Sequence, residues 1–223
     1  MFAIRYYEIK YLPDLKIGEE IESIYQKALQ GMGEDTPHTR LKYLGKSEHD
    51  LFDKYLIIHE RPVDIYGRYK NQPIRYYIAE EEVEVFKHIE APFVIAKGCK
   101  QVVLEAFEML KVDKKIDFVH YEVDILSLKK DLQEGNVKGA WFRELNQANV
   151  EVAGIFGASV DQSDLWSELK STGKLTAILI EHNRNSFMVT REGVILIYRP
   201  WSEKRSLEEV MEILPVIKNY FIV

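Results

Sequence analysis

Between residues 116 and 182 the spacing of apolar and polar positions switches between the period of a strand and that of a helix in a definite order. Ile116 to Ile125 alternates as a strand, and Leu126 to Leu132 has helical spacing closed by Gly135-Asn136. Gly139 to Arg143 and Val150 to Phe156 alternate again, joined by the polar Glu144-Leu145-Asn146-Gln147 segment. Ser163 stands as N-cap of a helix running through Leu169, stopped by Ser171-Thr172-Gly173, and Leu175 to Glu181 is a fourth strand. Strand, helix, strand, strand, helix, strand is the order of a ferredoxin-like split βαβ unit. A hairpin of Phe187 to Thr190 and Val194 to Arg199 extends it. Ser206 and Glu209 have capping-box spacing for a last helix, Leu207 to Tyr220, in which Pro215 imposes a kink or break.

The first half is less regular. Phe2 to Lys10 reads as a strand, and Ile17 to Leu29 as a helix with Ile17, Ile21, Ile24, Tyr25 and Ala28 on one face. Glu34 to Ser47 has no clear period. Tyr55 to His59, Ile74 to Ala79 and Ala91 to Ala96 read as strands, while Glu80 to His88 fits strand or helix. Lys100 to Val112 is amphipathic, with Val103, Leu104, Phe107 and Leu110 inward. The predicted fold class is α+β: a ferredoxin-like C-terminal region with an added hairpin and helix, preceded by a smaller mixed α/β region. Asp113-Lys114-Lys115 is the boundary between residues 1–112 and 113–223, unless the chain forms one continuous domain.

Composition narrows the function classes. A chain of 223 residues with 46% hydrophobic and 30% charged residues folds around a sizeable core. Its net charge of -6 argues against broad binding to phosphate backbones or acidic membranes. Cys99 is the single cysteine, which excludes an internal disulfide and any multi-cysteine zinc site. The start of the chain reads as a strand rather than a signal peptide, and no apolar run reaches membrane-spanning length. These features predict a cytoplasmic protein with no membrane partner.

The candidate chemistry is sparse. Cys99 sits between Lys97 and Lys100 where a strand gives way to a helix, a setting that favours a thiolate, but no His or Asn partner is evident in the sequence. His120-x-Glu122 matches part of a zinc deaminase signature whose cysteines this chain lacks. No metal site, cofactor or catalytic residue is assigned. The segment from Gly154 to Ser163 has the strand, glycine loop, helix order that holds anions. Gly154, Gly157, Ser159, Asp161 and Ser163 are therefore the candidate contacts for a small anionic effector, although turn chemistry explains such glycines equally. Arg61, Tyr66, Arg68, Tyr69, Lys70, Arg75 and Tyr76 interleave cations with aromatic rings against one acid, Asp64, as a single-strand nucleic-acid binder would. Adjacent Trp141 and Phe142 point to opposite faces of a strand, so one of them is exposed unless both faces are covered.

The expected function is a non-catalytic cytoplasmic regulatory or interaction protein that self-associates through a sheet edge. Two alternatives stand beside it: a nucleic-acid-associated protein using residues 61–77, and an enzyme whose site is assembled from distant residues.

Overall fold

The computed structural model describes residues 1–24, 36–69, 72–112, 115–132, 136–147, 149–183 and 185–222. The chain divides into two compact units: a first unit of Tyr7–Val119, and a second unit of Met1–Tyr6 with His120–Val223. Antiparallel strands dominate both, with four α-helices among the described residues. None of these helices is long and apolar enough to cross a membrane.

Strand β1 (Phe2–Tyr11) contributes residues to each unit. The first unit adds β2 (Glu20–Ile24), β3 (His38–Lys46), β4 (Phe52–Tyr69), β5 (Gln72–His88) and β6 (Phe93–Lys97), in the order β1-β6-β5-β4-β3-β2. Helix α1 (Lys100–Val112) lies on one face of this sheet. Alternation places Leu41, Tyr55, Ile57, Val83, Val85, Val94 and Ala96 on that face, packed with Val102, Val103, Ala106, Phe107 and Leu110 of α1. Tyr7 and Phe107 stack within this core, with centroids 4.4 Å apart. The opposite face is polar and cross-linked by ion pairs, Arg40 with Glu60 and Glu80, and Glu84 with both Lys54 and Lys97.

The N-terminal region is thus not a mixed α/β one. The helix predicted from Ile17 is a turn followed by β2, whose residues pair with Lys42 to His38 of β3. Gly18, at φ +84°, reverses the chain, and its N–H donates to the Tyr43 carbonyl at 2.9 Å. The helical spacing of Ile17, Ile21 and Ile24 is coincidental. Ile17 and Ile24 are exposed, while the polar Ser23 is fully buried and donates to the Met109 carbonyl at 3.0 Å. The rest of that predicted helix, Tyr25 to Leu29, lies outside the described residues. The aperiodic stretch before Ser47 contains β3, and the ambiguous Glu80–His88 continues β5.

Strand β7 (Asp117–His120), of which only His120 falls in the second unit, pairs with β1; within the second unit the short β8 (Glu122–Val123) precedes α2 (Ile125–Asp131). There follow β9 (Val137–Gln147), β10 (Val150–Phe156), a single 3-10 turn, α3 (Asp164–Thr172), β11 (Lys174–His182), β12 (Asn185–Thr190), β13 (Val194–Ile197), α4 (Glu203–Ile217) and β14 (Phe221–Ile222), which pairs with β8. The sheet order is β10-β9-β11-β12-β13-β1.

This order overturns the ferredoxin-like assignment. That fold seats its first strand between its third and fourth, whereas here β7 goes to β1, β10 forms the edge, and β11 is flanked by β9 and β12. Periodicity fixes the type and succession of elements but not their pairing. Ile178 and Ile180 of β11 are fully buried and need long neighbours on either side, which the four-residue β7 cannot supply. The last helix also starts earlier than its spacing suggests. Ser202 is its N-cap, and Ser206 and Glu209 are buried inside it.

Candidate functional site

The two faces of the second unit's sheet differ sharply. Ala140, Phe142, Ile178, Ile180, Phe187, Val189, Ile195 and Ile197 are at most 1% exposed. Helices α2, α3 and α4 lie on this side: Phe142 meets Trp166 of α3 edge-on at 5.4 Å, and Asn185 and Arg199 bond to Glu212 and Glu209 of α4. By alternation the other face carries Val152 and Phe156 of β10, Trp141 of β9, Leu179 of β11, Met188 of β12, and Leu196 and Tyr198 in and beside β13.

This second face is apolar and open to solvent. Phe156 is 64% exposed, Val152 51% and Tyr198 46%, and Trp141, Leu179, Met188 and Leu196 are half-buried. Its aromatic rings are held in place. Phe156 lies over Gly139, where an added Cβ would sit 2.9 Å from the ring, and beside Gly154 at 3.3 Å. Trp141 closes on the same ring edge to face, at 4.9 Å. Glycine here makes room for the aromatic ring of a neighbouring strand. The alternation of Trp141 and Phe142 therefore resolves with Phe142 in the core and Trp141 on the open side.

Of the predicted effector contacts, Gly154 is within β10 and belongs to this aromatic seat. The others follow the strand. The Gly157 N–H donates to the Lys138 carbonyl at 3.1 Å, and Ser159 opens the 3-10 turn Val160–Gln162. Asp161 is largely buried, with Oδ2 3.1 Å from the Lys129 ammonium. Ser163 accepts from the Trp166 N–H at 3.2 Å and donates to the Val160 carbonyl at 2.7 Å, capping α3 as its sequence position suggests. Asp161 and Ser163 thus use these polar groups to hold the turn and the helix start.

The basic, aromatic residues 61–77 occupy the outer ends of β4 and β5. The β3–β4 ladder ends at Thr39↔His59, but β4 and β5 continue to pair out to Tyr69↔Gln72. Tyr66 is fully exposed and Tyr77 half exposed, while Arg61 bonds to Glu81 at 3.3 Å. Arg68 is exposed and Tyr76 half-buried. Lys70 lies outside the described residues, as do the side chains of Tyr69 and Arg75.

Catalytic arrangements are weak. His59 approaches Thr39 Oγ1 (2.8 Å) and Glu105 Oε2 (3.6 Å), in the manner of a nucleophile, base and acid. Thr39 is only 2% exposed, however, so no substrate reaches its hydroxyl. Burial lowers the His59 pKa against the opposing pull of Glu105. Cys99 is exposed, and its carbonyl accepts the Val103 N–H at the start of α1. A shallow cavity of about 380 Å³ on the polar face of the first unit is lined in part by Lys54, Glu84 and Lys97. Burial pushes the Glu84 carboxyl up, but hydrogen bonds from Lys97 and Lys54 outweigh it and bring its pKa down. That carboxylate is committed to two ammonium groups. Among the described residues, no group of three or more His, Cys, Asp or Glu could hold a metal ion. The His120-x-Glu122 pair is likewise dispersed: His120 turns to Arg5, whose Nη1 donates to its Nε2 at 2.9 Å, and Glu122 turns to Arg191 at 3.5 Å.

Sequence reasoning misses the open face because it is assembled from five strands, each contributing one or two apolar residues. The adjacent Trp141-Phe142 pair is its one visible signal. Comparison with protein-family models and with curated proteins gives no match to either.

Proposed function

We propose that the chain is a non-catalytic cytoplasmic interaction protein that works by self-association, and that a second copy docks on the open sheet face of the second unit. The observation that carries this reading is the contiguous row Phe156, Trp141, Leu179, Met188 and Leu196, left open while the other face of the same sheet is closed by helices.

A second copy fits for two reasons. Face-to-face sheets interdigitate apolar side chains across about 10 Å, which matches a flat face of this make-up. The charges at its ends are also self-complementary. Arg143, opposite Lys174, lies at one end of the β9–β11 ladder, and Glu181, opposite Ser186, lies at the other. A two-fold axis running across the strands in the plane of the interface sets Arg143 of one copy against Glu181 of the other. Within its own chain Glu181 pairs with Lys138 at 3.3 Å, a partly exposed contact that leaves its carboxylate accessible.

Face packing replaces the edge pairing expected from sequence. The edge strand β10 has a register shift between Val150 and Val152, and such irregularities disrupt edge-to-edge addition. Five strands spaced about 4.8 Å apart and roughly six residues long present a footprint of about 400 Å². That is below the roughly 800 Å² per partner of a standard interface, so the dimer forms in a concentration-dependent way. Light scattering over a concentration series tests this. The mass should climb from 26.1 kDa toward twice that value, and a mass that stays at the monomer value at every concentration removes the proposal.

A further inference from the structure

We infer that the outer β4–β5 ribbon is a nucleic-acid-binding arm that takes single strands, an activity separate from self-association. The residues that carry it are Tyr66, Arg68 and Tyr77, and it rests on the geometry of the ribbon as well as on its composition.

Among the described residues, β4 pairs from Glu60 outward with β5 alone, through Arg61↔Ala79, Val63↔Tyr77, Asp64↔Tyr76 and on to Tyr69↔Gln72. The ten residues beyond His59 carry the ribbon about 33 Å along its axis at roughly 3.3 Å per residue. The register shift between Asp64 and Gly67 adds local twist, and Tyr66 sits in that shift with its ring wholly in solvent. Tyr77 and Arg61 share one side of the ribbon as diagonal neighbours, and Tyr76 lies on the other side with Asp64. Exposed rings such as Tyr66 and Tyr77 with an exposed guanidinium such as Arg68 suit a single strand: bases stack on the rings while the cation holds a phosphate. A duplex keeps its bases stacked on one another and leaves those rings without use.

The acidity of the whole chain is the main objection, and the geometry answers it. Arg61 to Tyr77 holds four cations and one acid, against a net charge of -6 for the full sequence. At about 0.1 M salt, electrostatic fields decay over roughly 10 Å, so the tip of an arm about 33 Å long is largely insulated from acidic residues at its base. The acids that flank the segment are paired, Glu60 and Glu80 with Arg40 and Glu81 with Arg61, so the cation left to the outer ribbon among its described side chains is Arg68. The rings of Tyr66 and Tyr77 are exposed and contribute little to the core of the unit.

The test is fluorescence anisotropy of an end-labelled oligothymidylate about 20 nucleotides long with the full chain at about 50 mM salt. Tyr66→Ala with Arg68→Ala should weaken binding at least tenfold. It should also flatten the dependence of log affinity on log salt by about 0.7, the change expected when one cation no longer neutralises a phosphate. Both side chains are exposed, so circular dichroism and the melting temperature should match the parent protein. The inference is overturned if the parent fails to bind, if the double variant binds as well as the parent, or if a duplex of equal length binds more tightly than the single strand. The self-association face can be intact in each of these cases, so light scattering separates failure of this inference from failure of the proposed function.

Discussion

The rings of Trp141 and Phe156 meet edge to face, centroids 4.9 Å apart and planes at 88°, on the side of the sheet opposite its helices. Trp166, in contrast, is buried against Phe142 on the helix-covered side. In a background with Trp166→Phe and Trp201→Phe, Trp141 reports on the open face alone. Its emission should shift to shorter wavelength, and its quenching by acrylamide should fall, as protein concentration rises. Emission independent of concentration would mean that nothing covers that ring.

Gly193 closes the β12–β13 hairpin at φ +74°, and a Cβ there would sit 2.3 Å from the Tyr121 carbonyl oxygen. Gly193→Ala combines a strained backbone with a clash that neither side can relieve cheaply, and should cost roughly 3 kcal/mol or more. Gly67, in the ribbon, has nothing within 4 Å of an added methyl group, so Gly67→Ala should change stability by less than about 0.5 kcal/mol. Urea denaturation of the two variants side by side checks both values.

Arg5 is 3% exposed, and its Nη1, which can only donate, lies 2.9 Å from His120 Nε2, while the Glu192 carbonyl, which can only accept, lies 3.1 Å from the same nitrogen; an unprotonated Nε2 serves Arg5 and an Nε2–H serves Glu192. The Nε and Nη2 atoms of Arg5 have no hydrogen-bond partner among the described residues. Burial, and then the charge of Arg5, lower the His120 pKa, although the Glu192 carbonyl and the carboxylates of Glu122 and Glu192 oppose the shift. A depressed histidine contributes stability that is fully present above the unfolded value of about 6.5 and is lost as pH falls below it. Protonation turns Nε2 into a donor to the Glu192 carbonyl, takes away the hydrogen bond of Arg5 and sets an imidazolium against its guanidinium. The urea midpoint should therefore fall between about pH 8 and pH 5.5, and His120→Gln, which keeps an acceptor but does not titrate, should flatten that fall. The slope will not vanish, because burial also lowers His59 and His88. An unchanged pH dependence in His120→Gln would remove His120 from the account.

Glu209 is 4% exposed and is held by Arg199, whose Nη2 lies 2.5 Å from Oε1 and also donates to Asn185 at 2.7 Å. Burial raises the Glu209 pKa, and Arg199 offsets part of that rise. Removing the cation leaves a buried carboxyl without compensation, so Arg199→Met should cost about 3 kcal/mol. Adding Glu209→Leu to that variant should restore most of the loss, because an apolar pair of similar volume often replaces a buried ion pair without penalty. Thermal unfolding of the single and double variants distinguishes this from simple loss of packing.

Much of the local structure can be read from the chain, and the pairing cannot. Helix α1 spans Lys100–Val112 as its spacing indicates, and Ser163 caps α3, because an amphipathic period and a capping side chain are local facts. Strand β4 runs past its apolar core at Tyr55–His59 because Glu60 to Arg68 carry no buried apolar face, and β5 runs past Ile74–Ala79 through Glu80–His88, where buried Val83 and Val85 stand among glutamates that also suit a helix. Gly154 illustrates the same limit at the site. In sequence it resembles the start of an anion loop, but its role is set by the rings of Phe156 and Trp141, and its approach to Trp141 exists only once β10 pairs with β9. The cation-rich ribbon is visible as composition, while its projection beyond β3 depends on where the β3–β4 ladder stops.

Self-association through the open face is tested most directly by sedimentation equilibrium of the parent protein and of Leu179→Lys. Leu179 is half-buried in the middle of that face, opposite Met188 and Gly139, and a lysine there can reach solvent in the monomer but places a charge at the centre of the interface. The account predicts a monomer–dimer equilibrium for the parent and a folded monomer for the variant at every concentration. An equally dimeric Leu179→Lys, or a parent that is monomeric throughout, would contradict it.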